Sequence, residues 1–472
     1  MIGTLVLLIS MLLLVSVPTV TSFVIVSIVT ASIGVIPIVE LIRNPGSVRV
    51  FWLMSGGILF GYAGGALLSF LLSGSFDDFF WSVGGGRPIS AVANALCLVI
   101  APCIVLLVAG IFNAPIFPRE KLNISLNLMR RWSWIFLAFI FFAYWRGDLD
   151  FMGTVAGADK RISALGALAH VMIPALLGYL GVLLAIGEWR GQKLAMLFQL
   201  GLALLLALPT GRRLFLADLM VFGTGFALAG GFDRWGMTRK LVFASLVVFV
   251  AYLAFFLFFV MRVAGYQLPH SEGPNLLGRV DRAMTIVSTP DGRSHVVDMM
   301  MGATRSRTFI LGYYADLLSS LSGSTPLYGE ILVNSVLVSV PSVLYPDKDR
   351  ILRTGGAENM ANPAFHLAID DEANSVLTDG ISDFGVFGVF AYVLGVAAMI
   401  VVFMRMLERW GEPHEQLLIG FFIVSFLLVP EMTISGYISG LRNVLVVWIV
   451  MVASRLCLNF YCSLATSRVR SF

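Results

Sequence analysis

Two adjacent arginines, Arg212 and Arg213, follow a Pro-Thr-Gly turn between two apolar runs in the middle of the chain. A guanidinium group binds phosphate through two parallel hydrogen bonds, which an ammonium group does not do. An arginine near hydrocarbon costs on the order of 2.5–3.5 kcal/mol on insertion scales, and such residues are usually paired or functional. The turn therefore predicts an anion-binding site, to which the free N–H groups of a helix starting there would contribute. The alternative is an arginine pair at a helix end that is matched to loop carboxylates.

One long stretch, roughly 265–383, holds a group of arginines in its first part, and its last part, 354–383, contains acidic residues but no lysine or arginine. The basic residues include Arg279, Arg282, Arg293, Arg305 and Arg307. The acidic residues include Glu358, Asp370, Asp371, Glu372, Asp379 and Asp383. Cations followed by carboxylates suit a site that stabilises an anionic leaving group and takes a proton from an alcohol. Pairing of the two clusters with each other explains the pattern equally well.

Two smaller motifs give weaker indications. Asp148-Leu149-Asp150 has the spacing at which carboxylates can hold a divalent cation, although two acids in a short loop are more often ordinary surface residues. His366 lies beside the acidic cluster, either as a general base or as a structural residue in an aromatic turn. The sequence contains no Walker, Gly-x-Ser-x-Gly, His-Glu-x-x-His or Cys-x-x-Cys motif, which excludes energy coupling by ATP within this chain. No motif calls for a cofactor.

The composition restricts the elements that can position these residues. Of the 472 residues, 58% are hydrophobic and 13% are charged, whereas soluble domains carry roughly 25% charged residues. This excludes a water-soluble enzyme and a disordered chain. The four cysteines indicate no disulfide framework, and the net charge of +4 gives no reason to expect a nucleic-acid partner. The chain is predicted to be an all-α polytopic membrane protein in contact with the lipid bilayer.

Apolar runs long enough to cross a bilayer occur about a dozen times, since a hydrocarbon core about 30 Å thick needs about 20 apolar residues per helix. The predicted spans are 3–20, 22–42, 51–74, 91–114, 131–147, 162–187, 194–209, 213–230, 241–264, 384–406, 416–431 and 440–460. With the N-terminus inside, sixteen of the 32 lysines and arginines fall in the inner connections, as the positive-inside rule requires. Both termini are therefore predicted to be cytoplasmic.

This topology divides the chain into three parts. We expect a transmembrane bundle of about nine helices in residues 1–264, a large outer loop in 265–383, and about three further helices with a cytoplasmic tail in 384–472. Within the loop, Arg307–Leu321 and Leu327–Val340 space their apolar residues as helices do. The loop is therefore predicted to carry interfacial helices.

Three stretches are similar to motifs of a known family. They are the turn Thr210–Arg213, the segment Pro341–Lys348 with its Pro-x-x-Leu-x-Pro-x-Lys pattern, and Asn374–Gly388, where Asn-Ser is followed by Asp-Phe-Gly-x-x-Gly. Together with the large loop before the last three spans, they make the chain resemble the Wzy-type polymerases of bacterial O-antigen and exopolysaccharide and, more distantly, the O-antigen ligases. Ligases carry a His-Asn pair before this helix. Here Ser375 follows the asparagine, and the nearest histidine is His366.

The resemblance implies a metal-independent glycosyltransferase with a GT-C-like fold in the bacterial inner membrane, with its active site on the periplasmic face. It would transfer a growing glycan from undecaprenyl diphosphate to the non-reducing end of another lipid-linked oligosaccharide unit. A flippase and a chain-length regulator are the implied protein partners. The residues expected to bind the diphosphate are Arg212, Arg213, Arg279, Arg282, Arg305 and Arg307. Those expected to act in catalysis are Asp371, Glu372, Asp379 and His366.

Two other functions stay open at this point. An O-antigen ligase-like transferase would use the same donor with a different acceptor. A flippase or transporter of lipid-linked glycans would line a cavity with charges near the middle of the membrane. Asp218 is the main ionisable residue placed well inside a predicted span, and the sequence shows no two related halves.

Overall fold

The computed structural model describes most of the chain. The described residues are 2–73, 88–113, 115–117, 125–149, 163–187, 190–208, 211–233, 235–266, 276–307, 310–340, 344–345, 351, 357–367 and 374–469. At some positions inside these ranges only the backbone is described, and Arg212, Arg213, Arg305 and Arg307 are among them.

Helices account for nearly all of the described chain. The first half contains α1 (Ile2–Ser16), α2 (Val20–Arg43), α3 (Val50–Leu59), α4 (Gly65–Ser73), α5 (Ile89–Ala109), α6 (Leu126–Trp145), α7 (Ala164–Ile186), α8 (Arg190–Ala207) and α9 (Arg212–Leu228). The second half contains α10 (Met237–Tyr266), α11 (Leu276–Ser288), α12 (Pro290–Arg307), α13 (Ile310–Ser320), α14 (Glu330–Ser339), α15 (Ala357–Phe365), α16 (Val376–Glu408), α17 (Pro413–Leu427) and α18 (Ile434–Val469). A π-helical turn, Phe60–Gly64, joins α3 to α4.

Within the described residues, 8 helices are long and apolar enough to cross a membrane when α3 and α4 are counted as one. They are α2, α3–α4, α5, α6, α7, α10, α16 and α18. The prediction of an all-α polytopic membrane protein is confirmed at this level. The remaining predicted spans correspond to shorter apolar helices, α1, α8, α9 and α17, so the count of twelve spans and the GT-C-like fold stay predictions.

The described residues of the stretch predicted as an outer loop are mostly helical. The predicted helices Arg307–Leu321 and Leu327–Val340 are confirmed as α13 and α14. Every residue of Ile310–Leu317 is buried, and α13 packs against α5 and α16. A helix at a membrane interface buries one face and leaves the other polar and exposed. α13 is therefore buried within the bundle, and its predicted position at the membrane interface stays a prediction.

The last three helices begin with a kink in α16. The helix starts at Val376, before the predicted span 384–406, because two acids within Val376–Asp383 lower the hydropathy of a segment that is nevertheless buried. Phe384 and Gly385 then leave the helical conformation, and Gly385 has a φ of +62°. Glycine adopts that conformation without the steric cost of a Cβ atom. The kink folds the first turns of α16 back against the rest of the helix.

Small residues allow the central helices to approach closely. Gly178 and Gly181 of α7 lie directly against the backbone of α9 around Gly225. Lipid tails are as apolar as the helices, so no hydrophobic effect drives helices together within a bilayer. Small residues instead let the helices associate through close van der Waals packing. In their most apolar windows, α7 is 78% buried and α10 only 11% buried. The core of the bundle therefore lies around α7, and α10 stands at its edge.

Basic residues cap helix ends on the side predicted to face the cytoplasm. Arg49 donates a 2.7 Å hydrogen bond to the carbonyl of Gly110, just after α5. Arg455 of α18 forms ion pairs with Glu412 at 2.8 Å and with the buried Glu415 at 3.6 Å, at the start of α17. A cation near a helix C-terminus compensates the helix dipole, and an ion pair to a buried carboxylate avoids an uncompensated charge.

Candidate functional site

Buried polar side chains converge at the start of α16, in Asn374–Asp383, which we call the exit segment. Ser375 is the N-cap of α16, and its hydroxyl accepts hydrogen bonds from the N–H groups of Leu377 and Thr378. The same hydroxyl lies 2.6 Å from the hydroxyl of Tyr62 in the π-helical turn. The exit segment is therefore tied to the first half of the bundle.

Asp379, a predicted catalytic residue, is 1% exposed. Its Oδ2 atom accepts a 2.7 Å hydrogen bond from the N–H of Ile434, the first residue of α18. Next to it, the N–H of Val376 donates to the carbonyl of Met432 at 2.9 Å. A carboxylate at a helix N-terminus satisfies a free N–H group and interacts favourably with the helix dipole. The geometry gives Asp379 a role in positioning α18.

Asp383 does the same for α14. Its two carboxylate oxygens accept hydrogen bonds of 3.0 Å from the N–H groups of Ile331 and Leu332. The hydroxyl of Tyr392 also donates to this carboxylate. Asp383 was part of the acidic cluster in the sequence but not one of the predicted catalytic residues. It positions the loop helix that precedes the Pro341–Lys348 motif.

His366 follows α15 in a left-handed conformation with a φ of +51°, and its side chain is exposed. The N–H of Leu367 donates to the carbonyl of Asn362 at 3.1 Å, which is the hydrogen bond of a Schellman motif at a helix C-terminus. The structural role predicted as one alternative is thus present, and the exposed imidazole is also accessible to solvent. The predicted catalytic residues Asp371 and Glu372 lie outside the described residues.

Arg212 and Arg213 occupy the first two positions of α9, which confirms the predicted helix start at this turn. Gly211 is the N-cap, with a φ of +97° that favours glycine. The first N–H groups of a helix have no partner within the helix, so an anion at this turn would meet those groups. Both arginine side chains lie outside the described part of the chain.

The loop arginines lie on other helices. Arg279 and Arg282 are both on α11, where Arg279 is 6% exposed and Arg282 is on the exposed side. The strongest contacts of α11 are with α10 and α12, whereas the exit segment binds α14 and α18. The helix that carries Arg279 and Arg282 therefore packs mainly against its neighbours in the chain, α10 and α12. The side chains of Arg305 and Arg307, at the end of α12, are not described.

Of the Asp-x-Asp motif, Asp148 lies in the turn that follows α6. Asp148 forms an ion pair of 3.5 Å with Arg146, whose guanidinium group lies 5.9 Å from the ring centre of Phe142. Asp150 is outside the described residues. Within the described residues, no group of three His, Cys, Asp or Glu side chains has the arrangement of a metal site.

Arg442 lies near the start of the predicted span 440–460 and was not among the predicted site residues. Its Nη1 atom donates a 2.6 Å hydrogen bond to the carbonyl of Ser339, the last residue of α14. Its Nε and Nη2 atoms donate to Oδ1 of Asn443 at 3.0 and 2.8 Å. An arginine inside an apolar run is the signal that would have identified it. Arg442 and Asp383 hold the two ends of α14 against α18 and α16.

Asp218 is 2% exposed in α9, and its Oδ1 accepts a 3.0 Å hydrogen bond from the hydroxyl of Ser425 in α17. The sequence analysis identified Asp218 as the main ionisable residue inside a span, and the structure gives it a partner on another helix. A buried acid within a membrane bundle is by default a candidate functional residue.

Aromatic hydroxyl groups border the exit segment. The rings of Tyr62 and Tyr314 pack edge to face, with their centres 6.0 Å apart. Burial raises the pKa of the Tyr314 hydroxyl well above its ordinary value, and this residue lies on the loop helix α13. Tyr314 therefore stays protonated at neutral pH, and it contributes packing and polarity rather than charge.

Comparisons with protein-family models, with curated proteins and with solved structures found no match for this chain.

Proposed function

We propose that the protein is a polysaccharide polymerase of the bacterial inner membrane, which joins oligosaccharide units carried on undecaprenyl diphosphate at the periplasmic face. One observation carries the proposal. The segment that resembles the family motif at the loop exit is buried where three elements meet, and Ser375, Asp379 and Asp383 each bind a different one of them. A site that must hold two large lipid-linked substrates needs such a rigid supporting shell.

The chemistry sets the requirements for the site. The bond between the anomeric carbon of the growing glycan and its lipid diphosphate breaks, and the electron pair leaves with the diphosphate. A hydroxyl oxygen of the incoming lipid-linked unit forms the new bond to that carbon, and its proton passes to a base. Preorganised cations that stabilise the leaving charge are usually the largest contribution to such a reaction. We assign this role to Arg212 and Arg213 at the start of α9.

The base is assigned to Asp371, Glu372 or His366. A general base must come within hydrogen-bonding distance of the hydroxyl group that it deprotonates. His366 is exposed, whereas Asp379 is buried and bound to Ile434. Asp379 is therefore assigned a positioning role, in which it orients the start of α18.

Reconstitution tests the proposal. The purified full chain in liposomes receives only lipid-linked repeat units, without nucleotide sugar or ATP, and the glycan products are separated by length. A ladder of longer lipid-linked glycans is the expected result. Unchanged single units, in a preparation that elutes as one symmetric peak, would overturn the proposal.

A second candidate is a flippase for the same lipid-linked glycans, and the observation that favours it is the buried Asp218–Ser425 pair within the bundle. Transporters place ionisable residues along the substrate path. The same liposomes distinguish the two functions, because movement of the glycan across the bilayer without chain growth would support the flippase. A ligase-like transferase would instead move the glycan to an added lipid A-type acceptor.

A further inference from the structure

A cavity of about 970 Å³ lies between α7, α8, α9 and α10. It is formed where α7 and α9 end and where α8 and α10 begin, with Gly187, Lys193, Gly230 and Asp233 in its wall. The opposite end of α7 is the one that contacts α18, since Asn443 donates to the carbonyl of Ala167 at 3.5 Å. The cavity is therefore at the other end of the bundle from Arg442.

Most residues that line the cavity are apolar, and the cavity opens to the outside of the bundle. Leu197 of α8 and Leu246 of α10 both line it and are 53% and 54% exposed. α10 is the least buried of the candidate spans, which leaves the gap between it and α8 accessible from the side. Water does not fill an apolar cavity stably, because it finds no hydrogen-bond partners there. In a bilayer, the molecules that meet this opening are lipid acyl chains.

The polar end of the cavity carries one cation and one anion among its described lining residues. Lys193 and Asp233 are both exposed, and neither forms an ion pair with another described residue. Trp235 also lines this end and packs against Phe226, Phe232 and Phe243, with ring centres 5.2, 5.3 and 5.5 Å apart. Tryptophan is enriched at the level of lipid headgroups, so this end has the residue types of a membrane interface.

These charges are complementary to a zwitterionic headgroup. A lipid phosphate would be attracted to Lys193, and a primary ammonium group can donate a charge-assisted hydrogen bond to Asp233. A headgroup with only negative charge would instead place that charge beside the carboxylate of Asp233, which disfavours it. This includes the diphosphate lipid of the proposed reaction, so the cavity is distinct from the proposed substrate site.

We propose that the cavity is a binding site for phosphatidylethanolamine, with the acyl chains between α8 and α10 and the phosphoethanolamine headgroup on Lys193 and Asp233. The volume lies within the range of roughly 300–1,000 Å³ that is typical of ligand sites, so it holds part of one lipid and not a cluster. A lipid in this position would connect the edge helix α10 to the core of the bundle.

Native mass spectrometry of the delipidated full chain tests this site. The protein is titrated with phosphatidylethanolamine, phosphatidylcholine and phosphatidylglycerol of the same acyl chains. One phosphatidylethanolamine should bind about tenfold more tightly than phosphatidylcholine or phosphatidylglycerol. Neither of these two lipids has ammonium N–H groups that can donate hydrogen bonds to Asp233. Equal binding of all three lipids would mean that only a nonspecific lipid shell is present, and it would overturn the proposal.

Variants locate the headgroup and the chains. Lys193→Gln and Asp233→Asn should each weaken phosphatidylethanolamine binding by about tenfold. Lys240→Gln removes an exposed charge that does not line the cavity, and should leave binding unchanged. Leu246→Trp should fill the cavity and abolish the single tight site in a protein that still elutes as one peak. Tight binding that survives both headgroup variants and Leu246→Trp would contradict the proposed site.

Discussion

At the residue scale, two carboxylates four positions apart in the exit segment each hold the start of a different helix. Asp379 binds the N–H of Ile434, and Asp383 binds those of Ile331 and Leu332. Buried N–H groups at a helix start are costly when they lack partners. These acids therefore fix where α18 and α14 begin, and the helix N-termini interact favourably with their charges.

We predict that Asp383→Ala destabilises the protein by about 2–4 kcal/mol, because two buried N–H groups lose their acceptor. The thermal unfolding midpoint of the purified chain measures this loss. Glu330→Ala is the matched control, since Glu330 is an exposed acid at the first position of the same helix. An equal fall in midpoint for both variants would contradict the capping role of Asp383.

The partners of these acids could not be predicted from the sequence. The acidic cluster itself was evident, but the bonds from Asp383 and Asp379 span 52 and 55 positions and exist only in the folded bundle. The role of Arg442 depends in the same way on the end of α14, 103 positions away. The composition shows that charged residues are scarce. Which of them hold helix ends in place depends on contacts that form only in the folded protein.

At the element scale, hydropathy predicted where apolar helices lie and failed where polar residues are buried. The helix at the loop exit begins at Val376 rather than at residue 384, because Asp379 and Asp383 lower the hydropathy of a segment that the tertiary structure buries. The helical periodicity of α13 could be recognised in the sequence. Its burial on all sides could not, because such burial depends on the neighbouring helices. The two glycines of the Asp-Phe-Gly-x-x-Gly motif, Gly385 and Gly388, lie at the kink.

The kink of α16 depends on two glycines that face each other. A Cβ atom added at Gly388 would overlap the backbone of Gly380. We predict that Gly388→Ala destabilises the protein by about 1–3 kcal/mol, as overpacking of a tight contact does. Gly395→Ala on the same helix meets no atom within 4 Å, so it should be neutral or stabilising by up to about 1 kcal/mol. Equal unfolding midpoints for the two variants would contradict the close approach across the kink.

At the scale of the whole molecule, orientation decides which end of the bundle meets the periplasm. The positive-inside rule predicts a cytoplasmic C-terminus, and the ion pairs of Arg455 with Glu412 and Glu415 lie at that predicted inner end. The exit segment and the cavity of Lys193 would then face opposite sides of the membrane. The proposed reaction requires the exit segment to face the periplasm.

Native cysteines test this orientation. Cys97 and Cys103 are buried and Cys457 is exposed at the end of the last candidate span. In sealed right-side-out vesicles, an impermeant maleimide should label the protein only after permeabilisation. The variant Tyr328→Cys, at a loop residue that is 75% exposed, should be labelled in intact vesicles. Labelling of the native chain in intact vesicles would show that the orientation is the reverse of the predicted one.

The central claim is that glycan chains grow from a lipid diphosphate held at the start of α9. The most direct measurement compares the product ladder of the reconstituted double variant Arg212→Ala, Arg213→Ala with that of Arg146→Ala. The side chain of Arg146 is 58% exposed, and Arg146 lies at the outer end of the predicted span 131–147. We expect chain growth to fall about hundredfold in the double variant and to stay unchanged in Arg146→Ala, with all proteins equally expressed. An unchanged ladder from the double variant would contradict the claim.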